Sequence, residues 1–436
     1  MSTFKEDWAS LCTFLNKWYY KPDIEGLRII LCTYLSHFYF SSPPVWLSVI
    51  GLPGSGKTEI GIKPLQQLSN VYPVSELTVN SFLSGYGDNN GILDKLTQIS
   101  KGSTETHGVL VFPDFTTTLL SKDQFTRADV MGQMRRVYDG AFEKKVGNKQ
   151  KMLTWSGKVT CIAAATPDIE DHWAVYRDMG ERWLGIRWLG PGDTFEERMK
   201  KAEYASKQEG HEEEIRKGLH KYILRLLEDV SEGPSEYFKS SELMATAILL
   251  EECRVNVKRE FTGRGYEVTG LGNKQDSTRT PKSLFIVAKA SATLRRSNKI
   301  EDIDIHLAKR IAMDSIPTKR LKILESLIAI YPETLSKTEL IRTTSIAKST
   351  FDRVIEDMRH LKLIDVAQDS KNAGDPIETL IEDNISSANV EKVWEENPYH
   401  FSKVKHNWAI RLNINVIKVL KEAKLLPQKR AITHSN

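Results

Sequence analysis

The clearest chemistry in this chain lies in eight residues, Gly51-Leu52-Pro53-Gly54-Ser55-Gly56-Lys57-Thr58. Their order is G-x-x-x-x-G-K-T, that of a nucleotide-binding P-loop. Gly51, Pro53, Gly54, Ser55 and Gly56 form a loop whose glycines let backbone N–H groups curl around a phosphate with no Cβ in the way. Lys57 brings a point charge to the β- and γ-phosphates, and the Thr58 hydroxyl is placed for Mg²⁺. The residues after Thr58 are expected to open a helix, whose N-terminus adds a favourable field for an anion. A nucleoside triphosphate with Mg²⁺ is the implied ligand.

Two later stretches fit the same chemistry. Residues 108–114 form an apolar run ending in Asp114, the form of a Walker B strand. On a strand next to that of the loop, Asp114 would hold Mg²⁺ through water. Residues 158–167 are a third apolar run, ending in Thr166, whose side chain could reach a γ-phosphate or an attacking water. Just before it, Gly147-Asn148 joins two short extended arms bearing Lys144, Lys145, Lys149 and Lys151, a predicted hairpin. Lysines there guard an exposed sheet edge or touch a phosphate backbone. Arg182 and Arg187 lie among aromatics and glycines over 179–188, as a stacked cluster or as phosphate ligands.

The elements that must position these residues follow from patterning. At 436 residues, with 40% hydrophobic and 27% charged, the chain has the composition of an ordinary soluble protein of two or three domains. A net charge of +4 is too small to imply nucleic acid by itself. Cys12, Cys32, Cys161 and Cys253 show no C-x-x-C spacing, so reduced thiols in a cytoplasmic protein are expected. The N-terminus has no apolar signal core, and 27–50 is too interrupted to span a bilayer, so no membrane role is expected. Residues 1–42 read as aromatic-rich helices packed on the next domain. Residues 43–190 alternate apolar runs and helical segments, as a parallel sheet with crossover helices requires. Residues 191–315 read as a helical subdomain, with a polar, glycine-rich loop at 262–280. Residues 316–436 hold three helices, a tight turn before the third, and an apolar strand, the pattern of a winged helix-turn-helix. Lys348, Ser349, Thr350 and Arg353 stand at the exposed start of its third helix, available to a major groove.

Together these parts resemble AAA+ ATPases, most closely the helicase type of phages and mobile elements, with a minichromosome-maintenance-like order of motifs. The resemblance covers about 45–315, and the trailing winged helix agrees with it. It implies an α/β P-loop core with a helical lid, a C-terminal winged helix, ATP and Mg²⁺ as cofactors, and a ring, hexameric by analogy. It assigns loop 51–58 to Walker A, Asp114 to Walker B and Thr166 to sensor 1. Arg182 looks like the finger that reaches a neighbouring subunit's ATP, and Arg279, or failing it Lys282, like sensor 2. The lysine hairpin falls where such helicases carry a pore hairpin for single-stranded DNA. One departure matters: Asp114 is followed by Phe115, where the family places a glutamate that polarises the attacking water. Glu181, Asp123 or Asp139 takes that role, or ATP serves mainly as an assembly switch.

The expected activity is an ATP-driven DNA helicase or translocase of a mobile element or phage. An ATP-switched loader or initiator that binds DNA without unwinding it is the alternative. A defence or signalling ATPase whose winged helix holds a protein stands third.

Overall fold

An uninterrupted apolar strand is stable only where both of its faces are covered. Residues 45–50 meet that condition as β1 (Trp46–Ile50), every residue of which is buried. The computed structural model describes residues 3–40, 43–84, 91–99, 106–120, 122–146, 151–171, 182–192, 194–228, 230, 233–234, 239–263, 265–272, 278–368 and 408–427. These fall into two compact units, one of 1–239 with 278–315, the other of 240–277 with 316–436. The division differs from the one expected: the segment 240–277, read as part of a lid, belongs with the C-terminal residues.

In the first unit β1 is joined by β2 (Val71–Pro73), β3 (Thr106–Phe112), β4 (Ala141–Val146), β5 (Lys151–Ala165) and β6 (Trp183–Arg187) in the order β2-β3-β5-β1-β6, with β4 paired to β5. All pairs along that path are parallel, and only the β4–β5 hairpin is antiparallel. The expectation that the Asp114 strand adjoins the loop strand is corrected here, because β5 lies between them. Chain order does not fix order in a sheet, and the 15-residue β5 pairs with β1 and β3 at once.

Successive residues of a strand face opposite sides. Cys161 and Ala163 join Trp46, Phe112, Phe115, Met134 and Trp183 in a core on one side. On the other side Thr160 meets His37 of the Ile24–Tyr39 helix, which is buried from Gly26 to His37. That helix starts on Asp23, whose Oδ1 accepts the Gly26 amide at 2.8 Å. The Phe4–Trp18 helix begins with a Thr3/Glu6 capping box; of the residues at helical spacing, Trp8, Leu11, Phe14, Leu15 and Trp18, it buries Leu11, Leu15 and Trp18 and leaves Trp8 and Phe14 half-buried. Glu212–Glu228 likewise buries Ile215, Leu219, Ile223 and Leu226.

The second unit opens with the Ser241–Arg254 helix and a hairpin of β7 (Val257–Phe261) and β8 (Tyr266–Leu271). The loop expected over 262–280 is therefore replaced, in its first part, by strand β8. Thr318–Ala329 follows, then β9 (Leu335–Ser336), the Lys337–Thr344 and Lys348–His360 helices, β10 (Ile364–Gln368), β11 (Trp408–Leu412) and the Ile414–Glu422 helix. The last three strands form an antiparallel sheet in the order β10-β11-β9. Phe351, Val354, Ile355 and Met358 form the buried stripe of Lys348–His360, as their spacing predicts. Among the described residues no helix is long and apolar enough to cross a membrane.

Candidate nucleotide site

Strand register brings the motifs of the first unit to one edge. Ile50 lies opposite Ala165, so loop 51–58 leaves the sheet beside Thr166. Phe112 lies opposite Ala163, so Asp114, two residues on, emerges at the same level. The C-terminal edge of a parallel sheet, where chains diverge, is where such folds hold ligands.

The loop is fixed at both flanks. The Gly51 amide donates to Ala165 O at 3.0 Å and that of Ser55 to Leu52 O at 3.2 Å. Gly54 and Gly56 have φ of +69° and +89°, a region that a side chain would strain. Trp188, just past β6, donates its ring N–H to Ser55 O at 3.1 Å and its amide to Ile50 O at 2.7 Å. Asp23 holds the next residue, accepting the Leu189 amide at 2.8 Å, and is itself gripped by both terminal nitrogens of Arg310. The helix expected after Thr58 is one short π-helical turn, Lys57–Ile62, and Pro64 follows just beyond it.

Inside this frame the polar groups are poorly matched by the protein alone. Lys57 is buried and its Nζ donates to Leu52 O at 3.3 Å. Burial lowers its pKa, while the charge of Asp114 acts in the opposite direction. The Ser55 hydroxyl is buried and has no hydrogen-bond partner among the described residues. An orphaned hydroxyl, a desolvated ammonium and two left-handed glycines are what a bound phosphate would satisfy, so the residues fit the nucleotide the motif implies. Thr58 is half-exposed beside them, and Asp114 is exposed, with Oδ1 accepting the Thr117 amide at 3.0 Å. Thr58 and Asp114 are the residues that would hold Mg²⁺.

Thr166 belongs to a small polar group that the sequence did not disclose. Its amide donates to Thr116 Oγ1 at 2.8 Å, and its hydroxyl donates to Asp168 Oδ2 at 3.0 Å. Phe115, in the position of the missing glutamate, is fully buried in the core. Of the acids considered for its role, Asp123 caps the Gln124–Tyr138 helix and Asp139 lies elsewhere, while Glu181 is outside the described residues. Asp168 is the exposed carboxylate that is bonded to Thr166. The register that brings Thr116 to Thr166 is a property of the β3–β5 pairing, invisible along the chain, while Asp168 joins them as a neighbour two residues past Thr166.

Arg182 and Arg279 lie at the other end of the sheet. Trp183 is opposite Trp46 at the start of β1, which puts Arg182 a full strand, about 16 Å, from its own loop. Its Nη2 donates to Asp139 Oδ1 and Oδ2 at 3.0 and 2.8 Å, and its guanidinium lies 5.4 Å from the Tyr138 ring centroid. Arg279 Nη2 lies 3.8 Å from the same Asp139 carboxylate. Arg279 opens the Arg279–Leu294 helix, and that start lies at the far edge, away from the loop of the same chain. Lys282 on that helix is exposed. Arg187 is committed to Glu170 at 2.9 Å and to Asp314.

No protein-family model matches the chain, and no curated protein does.

The basic residues divide. Lys144 turns inward, donating to Val79 O, Asn80 Oδ1 and Leu83 O at 2.6, 2.7 and 3.3 Å, and burial lowers its pKa. It anchors residues 79–83 and does not extend the lysine surface expected of it. Lys145 is exposed on β4. Lys149 and the side chain of Lys151 lie outside the described residues. Lys348, Ser349 and Arg353 are exposed and Thr350 half-exposed on the first turns of Lys348–His360.

Proposed function

We propose that this chain is an ATP-dependent, DNA-engaging AAA+ motor that works as a ring, most simply a helicase or translocase. The observation that carries the reading is the division of the site. Lys57, Thr58, Asp114 and Thr166 gather at one edge of the sheet, while Arg182 and Arg279 are held at the opposite edge. A subunit so built cannot bring its arginines to its own loop, but a neighbour stacked head to tail can.

Bound ATP–Mg²⁺ would supply an electrophilic γ-phosphorus. Loop 51–58 binds and orients the phosphates, and Lys57 neutralises charge on the β- and γ-oxygens. Thr166 and Asp168 face the attacking water, and Asp168 takes the role of the missing glutamate by accepting its proton or orienting it. Asp139 presets the guanidinium of Arg182 before a neighbour's triphosphate arrives.

For the second unit we propose a winged helix. The support is its order of elements, helix, β9, helix, helix, β10, β11, and a sheet with β11 in the middle. Lys348 and Arg353 would face a duplex, and Lys145 with its hairpin neighbours a single strand. The buried Phe115 in place of a carboxylate favours a second reading, an ATP-switched DNA loader or initiator that does not unwind.

Strand displacement with ATP tests the first reading, with Lys57→Ala as control. Displacement by the wild type and none by the variant is expected. ATP-stimulated DNA binding without displacement would select the loader, and normal ATP turnover by the variant would remove loop 51–58 from the mechanism.

A further inference from the structure

Hairpin β7–β8 ends in an aromatic pair that no other described residue covers on the solvent side. Phe261 and Tyr266 are 65% and 71% exposed, with ring centroids 5.4 Å apart. They face one another across the hairpin, next to a turn in which the Thr262 amide donates to Gly265 O at 2.9 Å. Single exposed aromatics are ordinary. The argument lies in how this pair is mounted.

The hairpin is two-faced. Arg259 pairs with Val268, Glu260 with Glu267, and Phe261 with Tyr266. Alternation along the strands puts Arg259, Phe261, Tyr266 and Val268 on one face and both glutamates on the other. The first face is turned to the Lys348–His360 helix, because Arg259 bonds Glu356 at 2.6 Å and also bonds Asp357. Arg320 ties the same Asp357 at 3.3 Å to Cys253 O and Val255 O, at 2.7 and 2.8 Å, just before β7. The hairpin base is therefore clamped to the helix from both sides. Arg353 precedes Glu356 and Asp357 by one helical turn, on the same flank, and is exposed. The aromatic pair thus lies on the side of the hairpin that faces the helix flank bearing the exposed Arg353, whose neighbours Glu356 and Asp357 are paired with Arg259, and Glu260 and Glu267 point away.

We infer that Phe261 and Tyr266 are a stacking platform for unpaired bases of a nucleic acid strand whose phosphates are held by Lys348 and Arg353. The inference rests on the second unit being a nucleic-acid module. Every base has a π-face, so two rings give affinity without sequence preference. A protein partner fits less well. Two aromatic side chains bury about 300–500 Å² together, short of the roughly 800 Å² per partner that a stable interface needs.

The test uses the full chain with labelled oligothymidylate and a blunt duplex, followed by anisotropy across a salt series. Phe261→Leu/Tyr266→Leu keeps the apolar surface but removes the π-faces. It should weaken oligothymidylate binding about ten-fold or more while leaving the salt slope and duplex binding unchanged. Phe261→Trp/Tyr266→Trp should restore the affinity. Lys348→Ala/Arg353→Ala should flatten the salt slope, because fewer counterions are released. Wild-type affinity in the leucine variant, with weakened binding in the Lys348/Arg353 variant, would overturn the platform and leave the nucleic-acid reading standing. A changed sedimentation coefficient with unchanged DNA binding would make the pair a contact between copies and overturn it too. A wild-type protein that binds neither probe would remove the reading on which the inference rests.

Discussion

At the C-terminal end of the parallel sheet Lys57 leans on a single carbonyl and the Ser55 hydroxyl has no partner among the described residues, whereas at the N-terminal end Arg182 is held by both oxygens of Asp139. The same five strands build both ends. One end is an under-satisfied cradle for anions, and the other is a set of cations already balanced by a carboxylate. An isolated subunit tolerates the first because loop backbone and partial solvent access limit the desolvation penalty, and the second because charge is matched in place. The difference teaches that the two ends suit the same kind of ligand, an anion, from opposite poles: one is short of partners, the other holds its cations in reserve on a carboxylate. Separated by a strand length within one subunit, they could meet one phosphate only across two copies, as the ring proposed above requires.

The largest expected effect breaks the cradle. Lys57→Ala removes the cation set against the phosphates and should abolish ATPase activity with an unchanged circular dichroism spectrum. Next comes the opposite end. Arg182→Ala should still bind ATP through its own loop but lose about 10³–10⁵ in turnover, the range for arginine fingers. Mixed with Lys57→Ala, itself inactive, it should recover activity, because some interfaces then join an intact loop to an intact arginine. If phosphate release shows no recovery at any ratio, with the two proteins co-assembled, the two ends do not meet and the comparison loses its meaning.

Asp168→Asn sharpens the cradle end by separating binding from chemistry. As the carboxylate bonded to Thr166 it should cost about 10²–10⁴ in turnover, with ATP affinity retained. Asp123→Asn is the control, since that carboxylate caps a helix and should affect stability alone. Equal losses of turnover in the two variants would deprive Asp168 of its role.

How much of this was legible in the sequence follows the same division. Loop 51–58, Asp114 and Thr166 could be read because each sits directly after an apolar strand, so local pattern alone places it. The α/β class and the helix faces, such as Phe351, Val354, Ile355 and Met358, came from periodicity in the same way. Thr116 could not be read, since its meeting with Thr166 depends on which strands pair, whereas Asp168, two residues past Thr166, stood in plain view with no pattern to mark it. The edge at which Arg279 stands could not be read, because a helix start carries no signal of the edge it will reach. Strand β8 lies where the sequence suggests a loop and β7 where it suggests the end of a helix, because the hairpin's anchor is a pair of ionic contacts from Arg259 rather than an alternating apolar face. Lys144 and Lys145 are neighbours of identical composition, and only the direction of the pleat sends one to Val79 O and the other to solvent.

The smallest expected effect concerns the start of the parallel part of β5, on the face turned to the Ile24–Tyr39 helix and remote from loop 51–58. Lys158 lies on β5, with Nζ donating to Ser36 O and His37 O at 3.3 and 3.1 Å and also to Phe40 O, the last carbonyls of the Ile24–Tyr39 helix. Burial lowers its pKa from 10.5 to about 8. Below pH 8 the amine is charged in both the folded and unfolded states, and the cost of burying that charge is carried in full. Between about 8 and 10.5 the folded state releases its proton first, so the unfolded state binds more protons and stability rises with pH. Lys158→Met removes this titration and the three donated bonds together. The difference in unfolding free energy between wild type and variant should therefore grow across that window. Water reaches part of the side chain, so the growth should be no more than about 2 kcal/mol. Urea titrations at the two limits measure it, and ATP turnover at neutral pH should be unchanged if the sheet's chemistry resides at its ends. A variant that folds normally but loses turnover would show that the strand between the two ends couples them, and the picture of two independent poles would have to be given up.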